Sequence, residues 1–319
     1  MKTLKSHLKD YLELRRALGF ELGRAESRLR GFLAFLATKR ASRITTALAL
    51  EFASRDDHRS ASTQAGCLSA IRGFAQYLSG IALKTEVPPE GLIRRERRPQ
   101  PYIYSDDEIV RLVDAARRHP STPRYALKPY TLHCLLGLLA VSGMRLSEAL
   151  NLKPEDVDWS QRLLSIGRAK FQKSRLVPLR ESTLGQLRAY IKHRNRFFAE
   201  RPWRRPANRV FVTTHGGTLT SNEVGHDFRK LTRCIGLRAP GARHGPRIHD
   251  LRHRFAVSTL LRWYRSGKNV AVLLPVLSTY LGHVSITGTY WYLTCTPELM
   301  EAAGKRLEMR WKGVRHAQG

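Results

Sequence analysis

The chain has 319 residues, enough for two domains with proper cores and too few for several. Its 56 Lys and Arg against 26 Asp and Glu leave a formal charge of +30 spread over the whole length, which points to a polyanion and, with no amphipathic anchor or lipidation signal in view, away from a membrane surface. Charges every few residues in MKTLKSHLKDYLELRR argue against an export signal, the apolar run from Leu135 to Val141 falls short of the roughly 20 residues that span a bilayer, and Cys67, Cys134, Cys234 and Cys295 lack any CxxC pairing, so neither a zinc site nor a disulfide framework is expected.

Residues 1–84 predict a small helical bundle. Leu4, Leu8, Tyr11 and Leu12 repeat at helical spacing, as do Leu29, Phe32, Leu33 and Leu36, and again Leu68, Ile71, Ala75 and Leu78 before Gly80 stops the run. A weaker helix covers Thr46 to Ala53. The polar faces carry Lys5, Lys9, Arg15, Arg16, Arg28 and Arg30, a set too one-sided for solubility alone, and this suggests a bundle that grips DNA. Residues 85–103 are expected to be a basic, Pro-rich linker. Four prolines and five consecutive charges in TEVPPEGLIRRERRPQP leave little room for a packed element.

A second domain, residues 104–319, opens on the capping box of Ser105 and Glu108, placed just before Ile109, Leu112 and Val113. Leu163 to Ile166 and Leu176 to Leu179 flank a basic polar turn and predict a β-hairpin; Val210 to Val212 suggests another short strand. Leu184 to Tyr190, Glu223 to Thr232, His249 to Trp263 and Pro297 to Trp311 have helical patterns. The expected fold class is mainly α, with a small antiparallel sheet.

Four separated segments carry the chemistry: GLLAVSGMRLSEAL ending at Leu150, GRAKFQKSRLVPL ending at Leu179, IHDLRHRFA ending at Ala256, and YLGHVSITGTYWYL ending at Leu293. In order and spacing they resemble the tyrosine recombinase (phage integrase) family. The resemblance implies an α-helical, SAM-like core-binding bundle and a DNA breaking-rejoining catalytic domain. Residue by residue it implies that Arg145 is the first catalytic arginine, Lys170 the catalytic lysine of the hairpin turn, His249 and Arg252 the HxxR pair, His283 the further histidine and Tyr292 the nucleophile. The family spacing from the LGH histidine selects Tyr292 over Tyr290. Glu148, three residues beyond Arg145, is expected to orient it, and Lys173, Arg175 and His253 are assigned to DNA contacts, with a structural role as the other reading of His253.

The residue types suit that chemistry. Attack on a phosphodiester builds negative charge on the non-bridging oxygens, and a guanidinium fork matches those oxygens without losing its own charge. A tyrosine hydroxyl titrates near 10 and needs help in losing its proton, for which His249 is a candidate base, while Lys170 is a candidate acid for the departing 5′ oxygen. No acidic cluster suited to two-metal catalysis and no GxxxxGK[ST] loop accompanies the set, so no metal, nucleotide or other cofactor is expected. The implied partners are duplex DNA with specific sites and three further copies of the chain, with or without sister recombinases, in the cytoplasm at the nucleoid. A type IB topoisomerase and a non-cleaving regulator on the same fold are the alternatives. Two departures stand out: Ala169 and Phe171 flank Lys170 where the family commonly has glycines, and the stretch from Arg252 to His283 is long enough to add a loop or extend a helix.

Overall fold

A computed structural model describes residues 3–316 except 21, 57–59, 82–83, 95–99, 121, 123–124, 170–172, 243, 284 and 295, with backbone alone at 168, 169, 173, 294 and 309–316. The chain divides into two compact units on either side of Pro99 and Gln100.

The first unit holds α1 (Leu4–Ala17), α2 (Gly23–Thr38), α3 (Thr46–Ser54) and α4 (Ala61–Gly80). Three of the four begin on a hydroxyl, Thr3, Thr45 or Ser60, which accepts from a backbone N–H of the first turn and satisfies a donor that the helix leaves open. The repeating leucines meet in one core with Tyr11, Phe32, Phe52 and Phe74. The first half of the expected linker is packed: the Glu86 carboxylate accepts from the Thr46 N–H at 2.8 Å, Arg72 donates to the carbonyls of Pro88 and Pro89 at 2.6 and 2.7 Å, and Val87 and Ile93 lie on the core. Proline lacks a donor but keeps its acceptor, so an arginine can bind such a stretch to a helix.

The second unit is mainly helical. After the capping box of Ser105 and Glu108 come α5 (Asp106–Arg117), the largely buried α6 (Lys128–Ser142) and the short α7 (Leu146–Asn151). A three-stranded antiparallel sheet follows in the order β1 (Val157–Asp158), β2 (Leu163–Ala169), β3 (Lys173–Pro178). The predicted hairpin is β2–β3, in the register Leu164 opposite Val177; β1 was not predicted, because two residues carry no readable period. Val210 to Val212 form an isolated bridge from Val212 to Thr218 rather than a strand.

The remaining helices are α8 (Glu181–Ala199), α9 (Ser221–Cys234), α10 (Asp250–Arg265), α11 (Val270–Leu281), α12 (Thr287–Tyr290) and α13 (Pro297–His316), with a 3-10 turn at Trp291–Thr294 between the last two. The long stretch after Arg252 is therefore a separate helix, α11, entered through Gly267 at φ +69. One core joins α5 to α9 and the sheet; a second gathers Ala256, Val257 and Leu260 of α10, Leu274, Leu277 and Leu281 of α11, Tyr292 and Leu299. Among the described residues no helix is long and apolar enough to cross a membrane.

Candidate active site

The site is built on three helix ends. Helix α6 stops at Gly143, which adopts φ +60; a Cβ there would stand 2.4 Å from Phe255 Cδ1, so only glycine permits both the turn and the close approach of α10. Two residues later Arg145 caps α7. Its backbone N–H donates to Glu148 Oε2 at 2.7 Å, its Nη1 to Glu148 Oε1 at 2.8 Å, and its Nη2 to the Gly282 carbonyl at 2.7 Å.

Glu148 is shared. Arg175 donates from both terminal nitrogens to its two oxygens at 2.9 and 2.7 Å, and from Nε to the Tyr280 carbonyl at 2.7 Å. Burial alone would push the Glu148 carboxyl up, but the hydrogen bonds from Arg175 and from the Arg145 backbone outweigh it and hold it at about 2. One permanently charged carboxylate thus spaces two guanidinium groups.

Arg252, in the first turn of α10, is buried and donates from Nη1 to the Gly143 carbonyl at 2.8 Å and from Nη2 to the Leu281 carbonyl at 2.5 Å. Burial, and then the neighbouring Arg145, draw its pKa down to about 10, still well above neutrality. Three successive carbonyls at the end of α11, those of Tyr280, Leu281 and Gly282, therefore each receive a different arginine: Arg175, Arg252 and Arg145. These are carbonyls at the end of a helix, where the ladder leaves acceptors open and the dipole favours cations. Gly282 lies at φ +66, and a Cβ on it would sit 2.9 Å from Arg175 Nη1 and 3.3 Å from Arg145 Nη1, so its missing side chain makes room for the guanidinium groups.

Tyr292 sits on the 3-10 turn with 2 % of its surface exposed. The His283 ring stacks on it at 6.1 Å between centroids, and His283 Nδ1 shares a 2.7 Å hydrogen bond with Thr289 Oγ1. Burial, then the charges of Arg252 and Arg145, push the His283 imidazole down to about 4, so it is neutral at pH 7. His249 is exposed at the start of α10, and its ring meets that of His253 edge to face at 4.7 Å.

Arg145, Glu148, His249, Arg252, His283 and Tyr292 thus come together from α7, α10, the end of α11 and the 3-10 turn. Lys170 lies outside the described residues; Lys173 is placed only as backbone in β3. Two residues assigned to DNA contacts have internal partners. The Arg175 side chain is 8 % exposed and committed to Glu148 and Tyr280, and His253 is buried with its Nδ1 3.1 Å from the Tyr292 hydroxyl. Both were within reach of simple periodicity. Arg175 is two residues from the buried Val177, hence on the same face of β3, while the exposed Leu176 points the other way. His253 shares a helical face with Ala256, Val257 and Leu260, all of them core. Arg254 is structural as well, donating to the Tyr104 carbonyl and pairing with Asp106.

Known proteins resemble the chain both in sequence and in fold. Residues 103–298 match the phage integrase family. The chain is 44% identical over 314 residues to the "Putative integrase/recombinase y4rB" of Sinorhizobium fredii, covering 98% of this chain and 99% of that one. It is 30% identical to the "Tyrosine recombinase XerD" of Rhizobium meliloti over 90% of each chain. In fold it resembles the Tn1549 transposon integrase in complex with transposon right end DNA, with a TM-score of 0.65, 15% identity and coverage of 97% of this chain and 99% of that one. With a family match over most of its second unit and a near full-length relative at this identity, the chain belongs to the phage integrase family of tyrosine recombinases, enzymes that break and rejoin DNA.

Proposed function

We propose that the protein recombines specific DNA sites through a 3′-phosphotyrosine made by Tyr292, for the integration and excision of a mobile element. The observation that carries the reading is the convergence of Arg145 and Arg252 on the end of α11, from which the chain passes through His283 to Tyr292. A guanidinium has five N–H donors, and the bonds to Glu148 and to the backbone carbonyls occupy two on each arginine. A phosphate brought to this cluster would be gripped by groups already held in place, which is where electrostatic catalysis gains most.

In the proposed reaction the Tyr292 oxygen attacks phosphorus and the 5′ oxygen leaves. Arg145 and Arg252 balance the charge on the non-bridging oxygens. Neutral His283 donates to one of those oxygens or steadies Tyr292, His249 assists proton removal, and Lys170 protonates the leaving oxygen. The phosphotyrosine keeps the energy of the broken bond, and the freed 5′ hydroxyl of a second duplex can reverse the step. Four protomers would exchange strands in pairs through a Holliday junction. The first unit, basic and helical, is assigned to gripping the core site, and α13, anchored by Leu299 with Met300 and Leu307 exposed, to a neighbouring protomer. The mobile-element role rests on the integrase name of the 44% identical relative and on the AKFQKSRLVPL and YWYL segments.

The test is a duplex carrying a nick close to the cleavage point, so that the released fragment diffuses away. Wild-type protein is expected to leave a denaturant-resistant protein–DNA adduct that Tyr292→Phe does not form. Adduct formation by the Phe variant overturns the assignment.

A further inference from the structure

Tyr292 is more than buried; its hydroxyl is held. His253 Nδ1 lies 3.1 Å from Tyr292 Oη, inside hydrogen-bonding range, and the histidine is 2 % exposed. Its ring has little freedom to leave that position. His249 meets it edge to face at 4.7 Å, Trp291 at 5.3 Å, and the Tyr292 ring itself lies tilted at 5.5 Å. Across the tyrosine, the His283 ring stacks at 6.1 Å. The phenol is therefore gripped between one histidine at its oxygen and another on its face.

The placement follows from α10. Arg252 and His253 are adjacent on the first turn, so one rigid element carries both an arginine of the cation cluster and the hydrogen-bond partner of the hydroxyl. A phosphate drawn to Arg252 would then find the tyrosine oxygen already referenced to the same helix. A 3-10 turn of four residues is a weak mount for a nucleophile, and a bond from a longer helix corrects that.

We propose that His253 is a positioning residue, whose Nδ1 hydrogen bond fixes the Tyr292 hydroxyl for attack on the scissile phosphate. The proposal rests on the assignment of Tyr292 as nucleophile. Displacement of a reacting atom by about 1 Å costs on the order of 100-fold in rate, which sets the size of the expected effect.

The experiment measures single-turnover adduct formation on the nicked duplex at saturating full-length protein, beside DNA affinity and thermal midpoint. His253→Phe keeps the ring volume and the aromatic packing and removes the hydrogen bond. His253→Asn presents an amide close to the place of Nδ1. The Phe variant is expected to form adduct about 10- to 100-fold more slowly with affinity unchanged, and the Asn variant to recover most of that loss. Recovery by Asn is the outcome that loss of packing alone would not produce. A wild-type rate in His253→Phe overturns the proposal, and so does an Asn variant as slow as Phe while both bind DNA and melt like wild type. Should the Phe variant fold poorly, the Asn variant decides: near wild-type adduct formation supports the bond, and a rate slowed 10-fold or more in a protein that melts normally overturns it. Tyr292→Phe runs in parallel, since an adduct in that variant removes the nucleophile itself and is thereby distinguished from a failure at His253.

Discussion

Glu148 and His283 show how one cluster of cations sets opposite demands on its neighbours. Glu148 must stay charged to separate Arg145 from Arg175, and its two-sided hydrogen bonding keeps it so down to about pH 2. His283 must stay neutral, because a proton on it would be buried away from water and would also face Arg252, Arg145, His249 and Arg175. The sign of the resulting pH dependence is fixed. The unfolded chain protonates His283 near its ordinary 6.5 and the folded chain only near 4, so between those values the unfolded state binds more protons. His283 thus contributes stability above about 6.5 that is lost as pH falls towards 4, and Glu148 adds a loss of the same sign between its ordinary 4.5 and about 2. The five tryptophans all lie beyond residue 104, so their fluorescence reports the second unit. The urea midpoint followed by this signal should fall from pH 7 to pH 5, and His283→Gln should flatten the fall. A wild-type midpoint unchanged over that range would contradict the account.

Helix ends, rather than helix faces, hold the site, and that makes their glycines sensitive. Ala at position 143 would have to adopt the left-handed conformation, at about 1–2 kcal/mol, and its Cβ would strike Phe255. Gly143→Ala should therefore lower the melting temperature by several degrees, roughly 2–4 °C for each kcal/mol in a unit of this size. Cleavage should suffer too, because the Gly143 carbonyl receives Arg252. Gly137→Ala, in the middle of α6 with nothing within 4 Å of the added methyl, is the control and should melt no lower than wild type. Equal behaviour of the two variants would count against the turn as a determinant. The same elements show what local patterning reveals. The capping box at Ser105, the hairpin β2–β3 and the four helices of the first unit were all legible, since caps and periodicity are encoded within a few residues. Helix α11 was not, because Val270–Leu281 is apolar on nearly every side and shows no amphipathic period; nor was the packing of Glu86 and Arg72, which depends on partners 40 and 16 residues away.

Over the full chain the excess of 30 positive charges governs encounter with DNA more than it governs folding. Each phosphate neutralised releases a counterion, so affinity should fall steeply with salt: for 6–10 phosphate contacts, by about 10³ to 10⁵ between 50 and 200 mM. Tyr292→Phe allows this to be measured by fluorescence anisotropy without cleavage, and an affinity insensitive to salt would deny the backbone a leading part. Family membership needed no coordinates, because motif spacing and residue chemistry lie along the chain, and the proposed reactive side chains are drawn from the same motifs. The distribution of duties among the arginines did need them. Arg145 reaches the Gly282 carbonyl across 137 residues and Arg175 reaches Tyr280 across 105, and only the folded chain decides that Arg175 is an internal brace and His253 a partner of Tyr292. A hydrogen bond is specified by where two groups meet in space, and a linear pattern of residue types carries that information only when the groups share one strand or one helix.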